Sequence, residues 1–223
     1  MNIIFDLDGT LIDSAPDIHA TANVVMAAQG LGPLDLATVR GFIGRGVPHL
    51  VDCLLAAHGI RDSARHADMV ADFGRHYDAA VHQTVVFDGV QGALEALRGQ
   101  GAMLAICTNK PLSPARSVLR HLGLLDYFAV VIGGDSCAQR KPHPAPLWAA
   151  RDGCPPGPAL FVGDSDVDAD CAASAGVPFV FYTGGYCHSA PQDVTAAARF
   201  GDFADLPGII AALQARSSSS APP

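Results

Sequence analysis

Asp6 and Asp8 stand two residues apart in FDLDGT, Thr108 and Asn109 are adjacent in CTNKP, Lys141 opens KPHPAPL, and Asp164 and Asp168 lie in GDSDVDADCAASAG. Carboxylates, a hydroxyl and an ammonium in this combination suit phosphoryl transfer. That chemistry needs an in-line nucleophile, neutralisation of the equatorial oxygens and a proton for the leaving alkoxide. A carboxylate such as Asp6 can attack phosphorus to give an aspartyl phosphate, splitting one difficult displacement into two. Asp8 is near enough to protonate the leaving oxygen and then, as carboxylate, to deprotonate the incoming water. Lys141 and the Thr108 hydroxyl, with Asn109 beside it, would bind phosphate oxygens. Three carboxylates from separate segments in one crevice raise one another's pKa unless a cation sits between them. An oxygen-only ligand set without His or Cys suits Mg²⁺. The expected ligands are Asp6, Asp164 and the main-chain carbonyl of Asp8, with Asp168 orienting Lys141 or a metal-bound water.

Taken singly, each residue has a plainer role: Asp and Gly at strand ends make turns, Thr108 can cap a helix, and a lone Lys is usually solvated. The pattern of elements is what brings them together. Short apolar runs at 3–6, 102–108, 129–134, 159–164 and 178–183 read as buried strands, and helical patterns such as GVQGALEALRGQ and SPARSVLRHLG separate them. That alternation predicts an α/β fold with a doubly wound, Rossmann-like parallel sheet, whose ligand crevice lies at the carboxyl ends of the strands. Between Ser14 and about Val85 the alternation gives way to helical patterns alone. The expected organisation is a catalytic core over 1–13 and 86–215 and a helical cap over 14–85, inserted after the first strand. Its hinges would lie near Leu11 to Pro16 and near Thr84 to Asp88. The Ser/Pro-rich end, 216–223, reads as a disordered tail.

At 223 residues the chain has room for one core and a modest insertion. A formal net charge of -8 gives a mean field that repels polyanions, so nucleic acid is not an expected partner. Six cysteines without a CxxC pair point to a reducing compartment. No apolar stretch approaches membrane-spanning length, and a cytoplasmic protein is expected. The nine histidines contain no HExxH, and GFIGRG is not a P-loop.

FDLDGTLIDS, CTNKP, QRKPHPAPL and GDSDVDADCAASAG resemble, in order and spacing, the four signature motifs of the haloacid-dehalogenase-like hydrolase superfamily, over about Asn2 to Leu213. The resemblance implies nucleophile Asp6, acid/base Asp8, phosphate-binding Thr108 and Lys141, and metal-binding Asp164, the roles argued above. It also implies that 14–85 is a cap. Within the superfamily, LIDSAPDI, GGDSCAQRKPHPAPL and TGGY resemble the bacterial phosphoglycolate phosphatases. The partner so implied is a small-molecule phosphate ester, 2-phosphoglycolate, acted on by a monomer or homodimer.

Substrate choice falls to the cap, because the core motifs handle only the phosphoryl group. In GFIGRGVPH, Arg45 lies between two glycines with His49 nearby, and could pair with a substrate carboxylate. An Arg in such a loop is as often simply solvated. Three rival readings stand beside this one. A dehalogenase would have no use for Asp8 or for a magnesium cage. A phosphosugar mutase, or a phosphatase for a sugar phosphate or pyrophosphate, would keep every motif. A non-catalytic binding protein would be expected to lose at least one of Asp6, Asp8, Lys141 or Asp164.

Overall fold

A computed structural model describes residues 1–187, 189 and 191–219. In chain order the strands are β1 (Asn2–Phe5), β2 (Ile12–Asp13), β3 (Val85–Val86), β4 (Met103–Cys107), β5 (Val130–Ile132), β6 (Ala159–Gly163), β7 (Phe179–Tyr182) and β8 (Ala198–Phe200). The α-helices are α1 (Ala15–Ala28), α2 (Leu36–Arg40), α3 (Val47–Ala57) and α4 (Ser63–Tyr77), then α5 (Val90–Gly99), α6 (Leu112–His121), α7 (Ala145–Asp152), α8 (Asp166–Ala175) and α9 (Leu206–Ser219). Six strands form one parallel sheet in the order β5-β4-β1-β6-β7-β8.

The strands are apolar throughout because both faces of the sheet are covered. Successive residues serve opposite faces: Ile3, Phe5, Leu104, Ile106, Leu160 and Val162 join a cluster with α5, α6 and α9, while Ile4, Ala105, Cys107 and Phe161 join one with α7 and α8. The result is three layers, helix on sheet on helix. The chain builds β4 and β5 on one side of β1 and then crosses to build β6 to β8 on the other. The switch point therefore falls at β1, and the crevice opens beyond the carboxyl ends of β4, β1 and β6. Register fixes the depth: Phe5 pairs with both Ile106 and Val162.

The helices α1 to α4 bury an apolar cluster of their own, with Val25, Met26, Leu54, Met69 and Phe73 inaccessible to solvent. The chain enters and leaves this helical unit through β2 and β3, a two-stranded antiparallel ladder in which Ile12 faces Val86 and Asp13 faces Val85.

Three details differ from the sequence reading. The sheet has a sixth strand, β8, whose three residues are too short to show a period. The stretch LATVRGFIG is helical only to Arg40, after which Gly41 to Gly44 form turns. Helix α9 runs to Ser219, into the stretch expected as a tail; 220–223 lie outside the described residues. No helix among the described residues is long and apolar enough to cross a membrane.

Truncating Leu54, fully buried between α3 and its neighbours, should cost about 2–5 kcal/mol. Val24→Ala, on the exposed side of α1, should shift stability by less than about 0.5 kcal/mol. Denaturant midpoints of the two variants check this contrast, and equal losses would contradict the packing described.

Candidate active site

Asp6 is the first residue past β1, and its backbone N–H still donates to Val162 of β6 at 2.9 Å. Thr108 and Asp164 likewise follow directly on β4 and β6. Lys141 comes from the loop between β5 and α7, and its ammonium reaches Asp6 Oδ1 at 2.9 Å and Asp168 Oδ1 at 2.6 Å. Asp168 sits in the first turn of α8 and is wholly buried. A capping box turns it inward: the Ser165 N–H donates to Asp168 Oδ2 at 3.2 Å and the Asp168 N–H donates back to Ser165 Oγ, while the Ser165 hydroxyl also donates to Asp168 Oδ2 at 2.6 Å. Both oxygens of Asp168 are thus engaged, one by Lys141 and one by Ser165. Asp164 accepts from the Thr10 hydroxyl at 2.6 Å and from the Tyr186 N–H at 2.7 Å. Gly9 makes the intervening turn at φ +85, and a Cβ there would stand 2.5 Å from Asp164 Oδ2.

Asp6, Asp164 and Asp168 can each bring one oxygen within 4.8 Å of the others. Burial, with Asp168 beside it and Lys141 opposing, raises the Asp6 carboxyl to about 7. Burial and the charges of Asp168 and Asp6 push Asp164 well above the carboxylate range. Burial works against the Lys141 charge, but Asp168 and Asp6 outweigh it and hold the ammonium well above its ordinary value. One ammonium cannot balance three carboxylates once all of them are ionised. Asp6 Oδ1 meets Lys141 as an ion pair outside good hydrogen-bonding geometry. A buried oxygen-only donor set whose ionised form carries surplus negative charge fits a divalent cation.

Asp8 faces the other way, toward the helical unit. Its Oδ1 accepts from the Ser14 hydroxyl at 2.6 Å and from Lys110 Nζ at 3.2 Å. Lys110 is buried and also donates to the Tyr77 hydroxyl at 2.6 Å. Asp6, Asp8, Thr108, Asn109 and Lys110 line one cavity, closed from above by Ile18, Val47 and Leu50 of the helical unit. The Asn109 amide is spent on structure: it donates to the carbonyls of Gly44 and Lys141 and accepts from the Lys141 N–H. Arg45 and His49 border a neighbouring cavity that Asp6, Asp8 and Asp164 share. The Arg45 guanidinium is half exposed and reaches Asp166 across the gap at 3.4 Å.

Several contributors escaped the sequence reading, among them Ser14 and Ser165, which hold Asp8 and Asp168. Thr10 and Lys110 lie inside motifs already noted, DGT and CTNKP, so position alone could have suggested them. Tyr186 lies in TGGY; its hydroxyl donates to Asp13 and accepts from the N–H groups of Ser14 and Ala15, capping α1 in place of a Ser14 side-chain bond. Tyr77 carries no sequence signal, being one tyrosine on an amphipathic helix.

A doubly wound parallel sheet whose strand ends gather buried aspartates around a lysine, under the helices α1 to α4, forms a site suited to phosphoryl transfer. Residues 3–182 match the family described as haloacid dehalogenase-like hydrolase, and the chain belongs to that family. It is 47% identical over 209 residues to the phosphoglycolate phosphatase of Rhodobacter capsulatus, covering 93% of this chain and 95% of that one. The phosphoglycolate phosphatase of Rhodospirillum rubrum is 41% identical over 212 residues, with 92% and 88% covered. A Haemophilus somnus crystal structure described as a predicted phosphoglycolate phosphatase superposes with a TM-score of 0.84 at 33% identity, covering 93% of this chain and 96% of that one.

Folding raises the Asp6 pKa from 3.8 to about 7, so between those values the native state holds a proton that the unfolded chain has released. This contribution therefore lowers the stability of metal-free protein as pH climbs through that window. A divalent cation should bind the deprotonated cluster and so raise Tm more at pH 8 than at pH 5. Thermal unfolding with a chelator and with added cation measures both increments; equal increments would contradict the charge balance described.

Proposed function

We propose that the protein is a Mg²⁺-dependent phosphomonoester hydrolase acting on 2-phosphoglycolate through an aspartyl phosphate on Asp6. The observation that carries the reading is the division of labour between two carboxylates at one strand end. Asp6 is buried beside Lys141, and Asp8 is held by Ser14 and Lys110 through Oδ1. Among the described residues no hydrogen bond falls on Asp8 Oδ2, which leaves that oxygen open to a substrate in the cavity that Asp8 and Asp6 share. The relatives more than 40% identical over nearly the whole chain, phosphoglycolate phosphatases by name, support the choice of substrate.

In this reading an Asp6 oxygen attacks phosphorus in line, and Asp8 gives its proton to the departing alkoxide. Asp8, now a carboxylate, takes a proton from the water that opens the acyl phosphate, and Asp6 is restored. The Thr108 hydroxyl and the Lys141 ammonium hold phosphoryl oxygens, and Asp168 keeps Lys141 in place. Asp6, Asp164 and the main-chain carbonyl of Asp8 would hold Mg²⁺, which supplies charge neutralisation at the phosphoryl oxygens. Asn109 ties the Lys141 loop to Gly44 of the helical unit, which we assign as a cap over 14–85. Arg45 stands at the mouth, paired with Asp166. The six free cysteines accord with a reducing, cytoplasmic setting.

Phosphate release should be Mg²⁺-dependent and, by kcat/KM, highest for 2-phosphoglycolate in a panel with sugar phosphates, pyrophosphate and nucleotides. Preference for a different ester would discard the substrate, and no release from any would discard the hydrolase. Asp6→Asn should reduce turnover to background with the fold intact, as circular dichroism would show. Asp8→Asn should lower kcat by about 100-fold or more while leaving substrate affinity near its original value.

A further inference from the structure

We infer that Lys110 is the residue that reads the second anion of the substrate, the carboxylate of a short phosphorylated acid, and that Arg45 does not serve this role. The inference rests on the proposed phosphatase function and assigns the specificity of that same site. The Lys110 side chain is 2% exposed and belongs to a cavity that Asp6, Asp8 and Thr108 line from below and Ile18, Val47 and Leu50 from above. It is the one Lys or Arg among the described residues lining that cavity. An ammonium has three N–H donors. Two are taken, by Asp8 Oδ1 at 3.2 Å and by the Tyr77 hydroxyl at 2.6 Å. The Tyr77 ring also lies beneath the ammonium, 4.0 Å from nitrogen to centroid.

Lys110 thus has a fixed position and a donor to spare, in surroundings dry enough to make a charged partner valuable. Asp8, the group within reach of the ester oxygen, is its neighbour. An anion one or two carbons from the ester oxygen would therefore meet the ammonium, and a longer chain would overshoot it. Arg45 offers the opposite conditions. Its guanidinium is 48% exposed, its partner Asp166 is 54% exposed, and solvent screens such a pair. A carboxylate bound there would be distinguished only weakly from a neutral group.

Ethyl phosphate replaces the carboxylate of 2-phosphoglycolate by a methyl group, so the ratio of kcat/KM for the two esters isolates the carboxylate contact. Loss of the Lys110 contact to Asp8 slows both esters alike and cancels in that ratio. Lys110→Met should reduce the wild-type preference for phosphoglycolate by about tenfold or more, the strength of one hydrogen bond between charged groups. Arg45→Met should leave the preference within about twofold. Independently of turnover, calorimetry in an Asp6→Asn background with Mg²⁺ should show phosphoglycolate binding weakened by a similar factor when Lys110→Met is added. Should Lys110→Met fail to fold, Lys110→Gln retains donors for Asp8 and Tyr77 without the charge, and should show the same loss of preference. A preference that survives these substitutions, or that disappears with Arg45→Met, overturns the assignment and leaves the phosphatase reading standing. A wild-type protein that prefers ethyl phosphate overturns the substrate, and this assignment with it.

Discussion

Lys141 carries its charge at 1% side-chain exposure, with the ring of Phe161 packed 5.3 Å away. A charge so placed is tenable only among anions, and Asp6 and Asp168 supply them. Much of the surrounding architecture follows from that requirement. For Asp168 to point inward, α8 must begin at Ser165 and hold the free carboxylate oxygen in its capping box. For α8 to begin there, β6 must end close against it: a Cβ on Gly163 would stand 2.6 Å from the Asp168 carboxyl carbon. The Lys141 backbone is clamped in turn by the Asn109 amide, which bonds both its N–H and its carbonyl. The sheet order then has to set β1 between β4 and β6, so that Asp6, Thr108 and Asp164 emerge side by side.

Two residues further along the chain the surroundings change character. Asp6 belongs to the core, whereas Asp8 is held by Ser14 at the start of α1 and, through Lys110, by Tyr77 at the end of α4. Tyr186 makes a second crossing between the two parts. Its N–H serves Asp164 and its hydroxyl serves Asp13, Ser14 and Ala15, while Arg40 of α2 lies 5.4 Å over its ring. The helical unit cannot shift against the sheet without disturbing groups that also touch the carboxylate cluster.

The parts of this arrangement that local patterns encode were legible in the sequence. Five strands of the sheet are apolar runs that end in turn residues, and the helical stretches show their own period. Residues placed at strand ends, Asp6, Thr108 and Asp164, could be brought together by topology alone. Asp168 was legible as a support for Lys141, although its partner Ser165 was not named. What stayed hidden depends on tertiary distance. Lys110 and Tyr77 meet across 33 positions of sequence, and Tyr186 reaches Asp13 across 173, pairings that no local period reports. Asn109 looked like a ligand for phosphate because of its place beside Thr108, yet its amide is occupied by the backbone. Arg45 was visible as a cation in a glycine-flanked loop; its partner Asp166, on α8, was not.

The ladder between β2 and β3 sets Asp13 and Val85 opposite each other. The polypeptide therefore leaves the core and re-enters it at a single rung, with its two ends about one strand spacing apart. In topological terms 14–84 are one oversized hairpin loop, and the sheet is threaded identically whether that loop is four helices or a tight turn. Any insert whose ends lie that close could hang from the same rung. The stretch that roofs the chamber above Asp8 is thus joined to the core along the chain at that one rung, and elsewhere through side chains such as Ser14, Tyr77 and Asn109.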